Sequence, residues 1–197
     1  MSAIHTETVK RNGETYRISI YHDDVAGNPT EEMDGEGTIY SLNRRLISFN
    51  PSAVHDAIEN NPDAVPLSYF EHGQCVWSVA GELPSSCRCQ FDSVDMAGVW
   101  IPDSTVLDEA KNYSGRTRSL FMRKRARSAC ETYTQWSNGE VYGYAIEKIT
   151  ECDCDCPNCD GIHREDIESC WGFYGYDDVL AEARATLPDE TAELITA

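Results

Sequence analysis

Long apolar runs are missing from this chain: no stretch approaches the ~18 consecutive apolar residues that a membrane-spanning helix requires. Residues 1–11 are polar and charged, with no apolar centre and no small-residue cleavage site, so no secretory signal is read there and a cytoplasmic setting is expected. Catalytic grammar is missing as well. The chain holds no G-x-S-x-G, no G-x-x-x-x-G-K-[ST], no G-x-G-x-x-G and no H-E-x-x-H. No internal repeat is visible, and no linker-like stretch separates two domains. Positive charge is scarce: 16 Lys and Arg face 34 Asp and Glu, a net charge of −18. Such a field repels nucleic acid over most of a surface and attracts cationic partners. Solubility, or adaptation to a salty environment, accounts for it blandly. The sharper reading is a decoy whose carboxylates imitate phosphate spacing.

What is present suits a folded α+β protein. The 197 residues suffice for one sizeable core, and a content of 41% hydrophobic and 10% aromatic residues argues against disorder. The alternating, β-rich run at 16–22 reads as a strand, and 23–37 as an acidic, glycine-bearing loop. Short β pieces follow within 38–49. Asn50 and Pro51 are an N-cap and first-turn proline that start a helix over 51–60. A hairpin is expected from 65–70 and 75–79, a strand over 96–101, and a short helix from Asp103 or Ser104 through 111. A longer helix over 117–136 would bury Leu120, Phe121, Ala129, Tyr133 and Trp136, and Asn138 with Gly139 would stop it. A strand over 140–149, a last short strand over 170–174 and a helix over 177–185 complete the reading. The expectation is one compact α+β domain over 1–197, mainly antiparallel sheet packed by three or four helices, with a cysteine-rich insertion at 150–170 and a loose tail at 188–197.

Nine cysteines are a high and odd count. In a reducing compartment clustered cysteines bind metal more often than they form disulfides. Cys156-x2-Cys159 has the spacing with which a tight turn brings two thiolates onto one zinc ion. The other ligands of a structural zinc would come from Cys152, Cys154, His163 or Cys170. Cys87-x-Cys89 has an awkward spacer and reads as structural.

Three further groups of residues carry candidate functions. Asp23, Asp24, Glu31, Glu32, Asp34 and Glu36 would form an acidic binding patch, and the first five could also hold a hard cation, though a flexible acidic loop is the simpler reading. Arg116, Arg118, Arg123, Lys124, Arg125 and Arg127, with Lys111, make the stretch 103–127 locally basic, seven cations against three acids. They wrap around a helix instead of forming one face, so pairing with nearby carboxylates is the usual outcome; phosphate contact is the alternative. His72 and Cys75 lie three apart across a turn, where a thiolate–imidazole pair would need a third orienting group that is not evident.

Several blocks carry a resemblance: EVYGY at 140–144 and ESCWGFYG at 168–175, preceded by NRR at 43–45, VPLSY at 65–69 and EHG at 71–73. Together they resemble a family of small phage and mobile-element proteins with no assigned activity, over roughly residues 20–181. The resemblance implies that the cysteine loop is an elaboration between the two later blocks. It also implies a setting, a mobile element and its host. There, small acidic proteins often act without catalysis as inhibitors of host nucleases, restriction systems or CRISPR complexes, by occupying a cationic nucleic-acid groove. The expected function is therefore a non-enzymatic, anti-restriction or anti-CRISPR-like nucleic-acid mimic. The expected partner is a protein with a cationic surface, and no membrane is involved. The alternative is a zinc-stabilised nucleic-acid-binding module built on the basic helix.

Overall fold

The computed structural model describes residues 2–152 and 160–188. Two compact units are drawn from the chain: one from Met1–Ala26 with Gly139–Ala197, the other from Gly27–Asn138. Each contains a four-stranded antiparallel sheet and its own helices, which is the α+β class expected.

The first unit is built on β1 (His5–Arg11), β2 (Glu14–His22), β7 (Val141–Glu151) and β8 (Ile162–Tyr174), in the order β1-β2-β7-β8. Sequence reading missed β1. Its hairpin turn with β2 is Asn12-Gly13, with φ of 53° and 79°, the left-handed pair that a two-residue turn matched to strand twist demands. One face of β2 and β7 carries the core of this unit. Tyr16, Ile18 and Ile20 share a face with Tyr142, Tyr144 and Ile146, and the helix α5 (Tyr176–Ala185) buries Val179 and Ala183 against them, with Leu187 beyond it. β8 is a 13-residue strand where only its last five residues were expected. The expected insertion at 150–170 therefore narrows to the hairpin connection between Glu151 and Ile162, closed at its base by the Cys152 N–H donating to the Gly161 carbonyl at 2.9 Å.

The second unit has the sheet order β3-β6-β4-β5, from β3 (Thr38–Ser41), β6 (Ser93–Ile101), β4 (Val65–His72) and β5 (Gln74–Val79). Helix α2 (Pro51–Asn60), capped by the Asn50 side chain on the Ala53 N–H, buries Val54 and Ala57 against Val99. Trp100, next in β6, belongs to the larger core, with Ile39, Val65, Leu67, Trp77 and α4 (Gly115–Ser137). The stripe α4 buries is Met122, Ala126, Ala129, Cys130 and Tyr133, a helical spacing. Leu120, expected on that face, is exposed, while Phe121 and Trp136 pack at its margin. Helix α3 (Ser104–Ala110) is capped by Asp103. The expected loop at 23–37 contains a one-turn helix, α1 (Pro29–Glu32), started by Asn28 and Pro29.

Candidate binding surface

The candidate zinc ligands do not all converge. Cys154, Cys156 and Cys159 lie outside the described residues. Cys152 and His163 stand at the loop end of the β7–β8 hairpin, His163 opposite Thr150. Cys170 sits in β8 opposite Tyr144, nine residues past Gly161, or roughly 30 Å along an extended strand. Four residues of chain from Cys152 to Cys156 span at most about 14 Å, so Cys170 is excluded from a site at the hairpin end. Among the described residues no group of three or more His, Cys, Asp or Glu is placed to hold a metal.

The acidic patch expected at 23–36 is divided. Asp23 and Asp24 belong to the first unit and the other four acids to the second. Three of these carboxylates fold onto their own segments. Asp23 Oδ1 accepts from the Val25 N–H, Glu31 from the Asn28 amide, and the Glu32 carboxylate folds over Gly27, 1.8 Å from where a Cβ there would stand. Glu36 is half-buried. Burial pushes its carboxyl above the ordinary range, with Arg125 pulling down and Asp103 pushing up. Its neighbours form a tight anchor. Asp103 accepts from the Gly35, Gly37 and Val106 N–H groups, and Trp100 Nε1 donates to the Glu36 carbonyl at 2.6 Å. Burial raises the Asp103 carboxyl, but the backbone donors, Val106 first, outweigh it and hold it low. Glu36 and Asp103 thus belong to the scaffold, whereas Asp24, Glu31, Glu32 and Asp34 are exposed and join no ion pair among the described residues.

The basic helix is largely neutralised from within. Arg118 forms a two-pronged pair with Asp63 at 2.8 and 2.7 Å, and its hydrogen bond holds the Asp63 carboxyl below the usual range. Arg123 and Arg127 share Glu82, at 2.6 and 2.8 Å, and Arg125 donates to the Gly35 carbonyl at 2.6 Å. Of the six predicted cations, Arg116 and Lys124 alone are exposed without an ion pair among the described residues. A depression of about 450 Å³ beside Arg118 and Arg123 is also lined by Asp63, so it offers an anion little uncompensated charge.

His72 and Cys75 are not a catalytic pair. Glu71 is opposite Cys75 in the β4–β5 register and His72 opposite Gln74, which sends the two side chains to different faces. His72 Nδ1 lies 3.2 Å from Asp92, while Cys75 is buried and its backbone is gripped by the Asn138 amide at 2.9 and 3.0 Å.

The surface that sequence reading located only in part is the face of the first sheet away from α5. Register places Trp171, Ser169 and Asp166 of β8 beside Gly143, Ala145 and Glu147 of β7. Two bulges interrupt β8. Gly172, with φ of 87°, is one extra residue, and Ile167 is the other; each re-aims the side chains beside it. The Trp171 indole lies flat on Gly143, where a Cβ would come within 2.2 Å of the ring, and its centroid is 5.9 Å from Tyr21. Tyr21, Ala145, Ile167 and Trp171 line an open depression of about 560 Å³, rimmed by Asp166 and Glu168. The aromatic block around Trp171 was visible in the sequence. Ile167 and Tyr21 were not, because their meeting depends on a bulge and a strand order. Glu165, Asp166, Glu168, Asp177, Asp178 and Glu182 are all exposed and none joins an ion pair among the described residues.

Among the described residues no helix is long and apolar enough to cross a membrane. No known family, curated protein or solved structure matches this chain.

Proposed function

We propose that this chain is a non-enzymatic, acidic accessory protein that docks on a cationic DNA-handling protein and inhibits it by occupying the groove meant for nucleic acid. A host nuclease, restriction subunit or CRISPR component is the class of partner intended, in the host cytoplasm. The observation that carries the reading is the contrast between the two kinds of charge. Four of the five arginines of α4 are spent on internal carboxylates and a backbone carbonyl, whereas the acids from Glu165 to Glu182 stand in solvent and join no ion pair among the described residues. An outward field of one sign speeds encounter with an oppositely charged groove.

The test is association with a panel of purified nucleases and restriction and CRISPR effectors at low and high salt, with inhibition read in the same wells. Converting Glu165, Asp166, Asp177 and Asp178 to amides should slow association and flatten its salt dependence. Unchanged binding after those substitutions refutes the reading. A DNA-binding role for α4 would rest on Arg116 and Lys124, and absence of a gel shift at low salt would dispose of it.

The hairpin end supports one cofactor reading. Cys152 and His163, with Cys154, Cys156 and Cys159 of the loop between them, are a donor set suited to a closed, structural zinc site. Metal content near one zinc per chain, lost with chelator and with Cys156→Ser and Cys159→Ser, is the expected result; a metal-free chain of the same stability would refute it.

A further inference from the structure

The two sheets expose four edge strands, and the chain treats three of them alike. β5 is covered by α4: the Thr134 hydroxyl accepts from the Trp77 N–H at 2.9 Å, and the Asn138 amide pairs with both backbone groups of Cys75. β3 is four residues long, and the loop after it bonds back, with the Ser41 N–H on the Ser48 carbonyl at 2.7 Å and the Asn50 N–H on the Ser41 carbonyl at 2.9 Å. β1 carries His5, Glu7, Lys10 and Arg11 along its seven residues. Covering, shortening and charging are the usual defences of an edge against unwanted pairing.

β8 is different. It is the longest strand, its residues from Ile162 to Gly172 are all exposed, and no other element except its partner β7 bonds to residues 165–172 among the described residues. Its charges gather at one end, with none from Ser169 to Tyr174. Beside that uncharged half lies the depression of Trp171, Ile167 and Tyr21, with Trp171 43% and Ile167 44% exposed.

We propose that β8 is an acceptor strand: an extended, basic segment of a protein partner adds along its edge at residues 165–172 as a fifth strand. Backbone hydrogen bonds supply affinity in this mode, and pockets for alternate side chains supply selectivity. One apolar side chain of the incoming segment would seat against Trp171 and Ile167, and its cations would meet Glu165, Asp166 and Glu168. The acids select the occupant. A second copy of this chain would bring three more carboxylates to the same edge, on a body that already carries a charge of −18. This inference rests on the proposed docking to a cationic protein and names the site that does it.

The test uses the full chain, isotope-labelled, with a synthetic peptide in which Arg alternates with Val. About twelve residues span most of β8 at ~3.3 Å per residue. A control peptide of equal charge has its central Val residues replaced by Pro, which cannot pair along an edge. The expected result is binding of the first peptide only, with slowed amide exchange confined to residues 165–172. Trp171→Ala should weaken binding about tenfold or more, as loss of an anchoring aromatic does. Ile167→Lys, at an exposed position, repeats the test should Trp171→Ala disturb the fold. Equal binding of both peptides overturns the edge site while leaving a purely electrostatic docking surface intact. Binding of neither, or protection of 165–172 by self-association without peptide, overturns the edge site outright. The wider acidic reading is judged separately by the amide substitutions and the partner panel.

Discussion

Replacing Gly143 by Ala tests the packing that shapes the open face of the first sheet. A methyl group at that position would stand 2.2 Å from Cε3 and 2.4 Å from Cδ2 of Trp171, so the indole must leave its bed on β7. Trp171 is 43% exposed, so a little more than half of its surface is covered. A tryptophan buries ~150–250 Å², of which about half is at stake here, and at ~25 cal/mol per Å² its loss costs at most ~2–3 kcal/mol. Against this, Ala in a strand gains ~0.5–1 kcal/mol over Gly through the unfolded chain. The expected net cost of Gly143→Ala is ~1–2 kcal/mol in urea unfolding, with a red-shifted tryptophan emission as the indole meets water. Trp171→Ala alone should cost ~2–3 kcal/mol by the same area argument. The decisive measurement is the double variant. Once Trp171 is gone, the methyl added at position 143 has open space, so Gly143→Ala should become neutral or slightly stabilising, a coupling of about 2 kcal/mol. Equal costs of Gly143→Ala in both backgrounds would refute the stacking of Trp171 on Gly143.

Asp103 and Glu36 give opposite pH signatures. The Asp103 carboxyl is held low, so its contribution is present above the ordinary Asp range and is lost as pH falls through its depressed value; Asp103→Ala should cost ~2 kcal/mol at neutral pH, from a lost helix cap and two further stranded N–H groups, and progressively less in acid. The Glu36 carboxyl is raised from 4.5, so its stabilising form is the protonated one, fully present below 4.5 and lost as pH rises through the raised value; Glu36→Gln should match or exceed the parent at pH 7, with the advantage fading in acid. Asn138→Ala removes both side-chain bonds to Cys75 and leaves the backbone N–H that caps α4, and a loss of ~2–3 kcal/mol with faster exchange of the Cys75 amide is expected in thermal and exchange measurements. Burial drives the Cys130 thiol far above its ordinary range, so a thiol reagent should modify exposed Cys170 readily and leave Cys130 untouched until unfolding; early labelling of Cys130 would contradict its place in the core.

The elements legible in the sequence are those whose signals are local. The start of α2 at Pro51 follows from Asn50 and the first-turn proline, and the Asp103 cap, the Asn138 stop and the β4–β5 hairpin were readable for the same reason: each is decided within four residues. β1 shows the limit. Its HTETVKR alternation is polar on both faces, because α5 touches it at the margin with Val9, so periodicity of hydrophobicity could not reveal it; the Asn12-Gly13 turn was the available signal. β8 was underestimated for a related reason. An edge strand with both faces exposed has no apolar alternation from Ile162 to Ser169, and the length of β8 is dictated by pairing with β7 across more than twenty residues of chain.

The candidate site was less legible than the fold because charge counts do not say which charges meet. In sequence, the basic stretch of α4 and the acids at 23–36 are two opposed patches, each available to a partner. In space, Arg125 reaches the Gly35 carbonyl, Arg118 reaches Asp63 across 55 positions, and Glu82 takes both Arg123 and Arg127. Those pairings tie loops to α4 within the second unit and remove most of its cations from play. The first unit has no such supply. Its 85 residues, 1–26 and 139–197, hold nineteen of the 34 acids and six of the 16 basic residues, and Arg17, Lys148, Arg164 and Arg184 are already paired with Glu147, Glu14, Asp160 and Glu7. Uncompensated carboxylates therefore remain along β8 and α5 by force of composition, at a cost in self-repulsion that folding alone does not require. A cationic partner laid along β8 would relieve that repulsion as it binds, which gives the association an electrostatic gain that grows as salt is lowered.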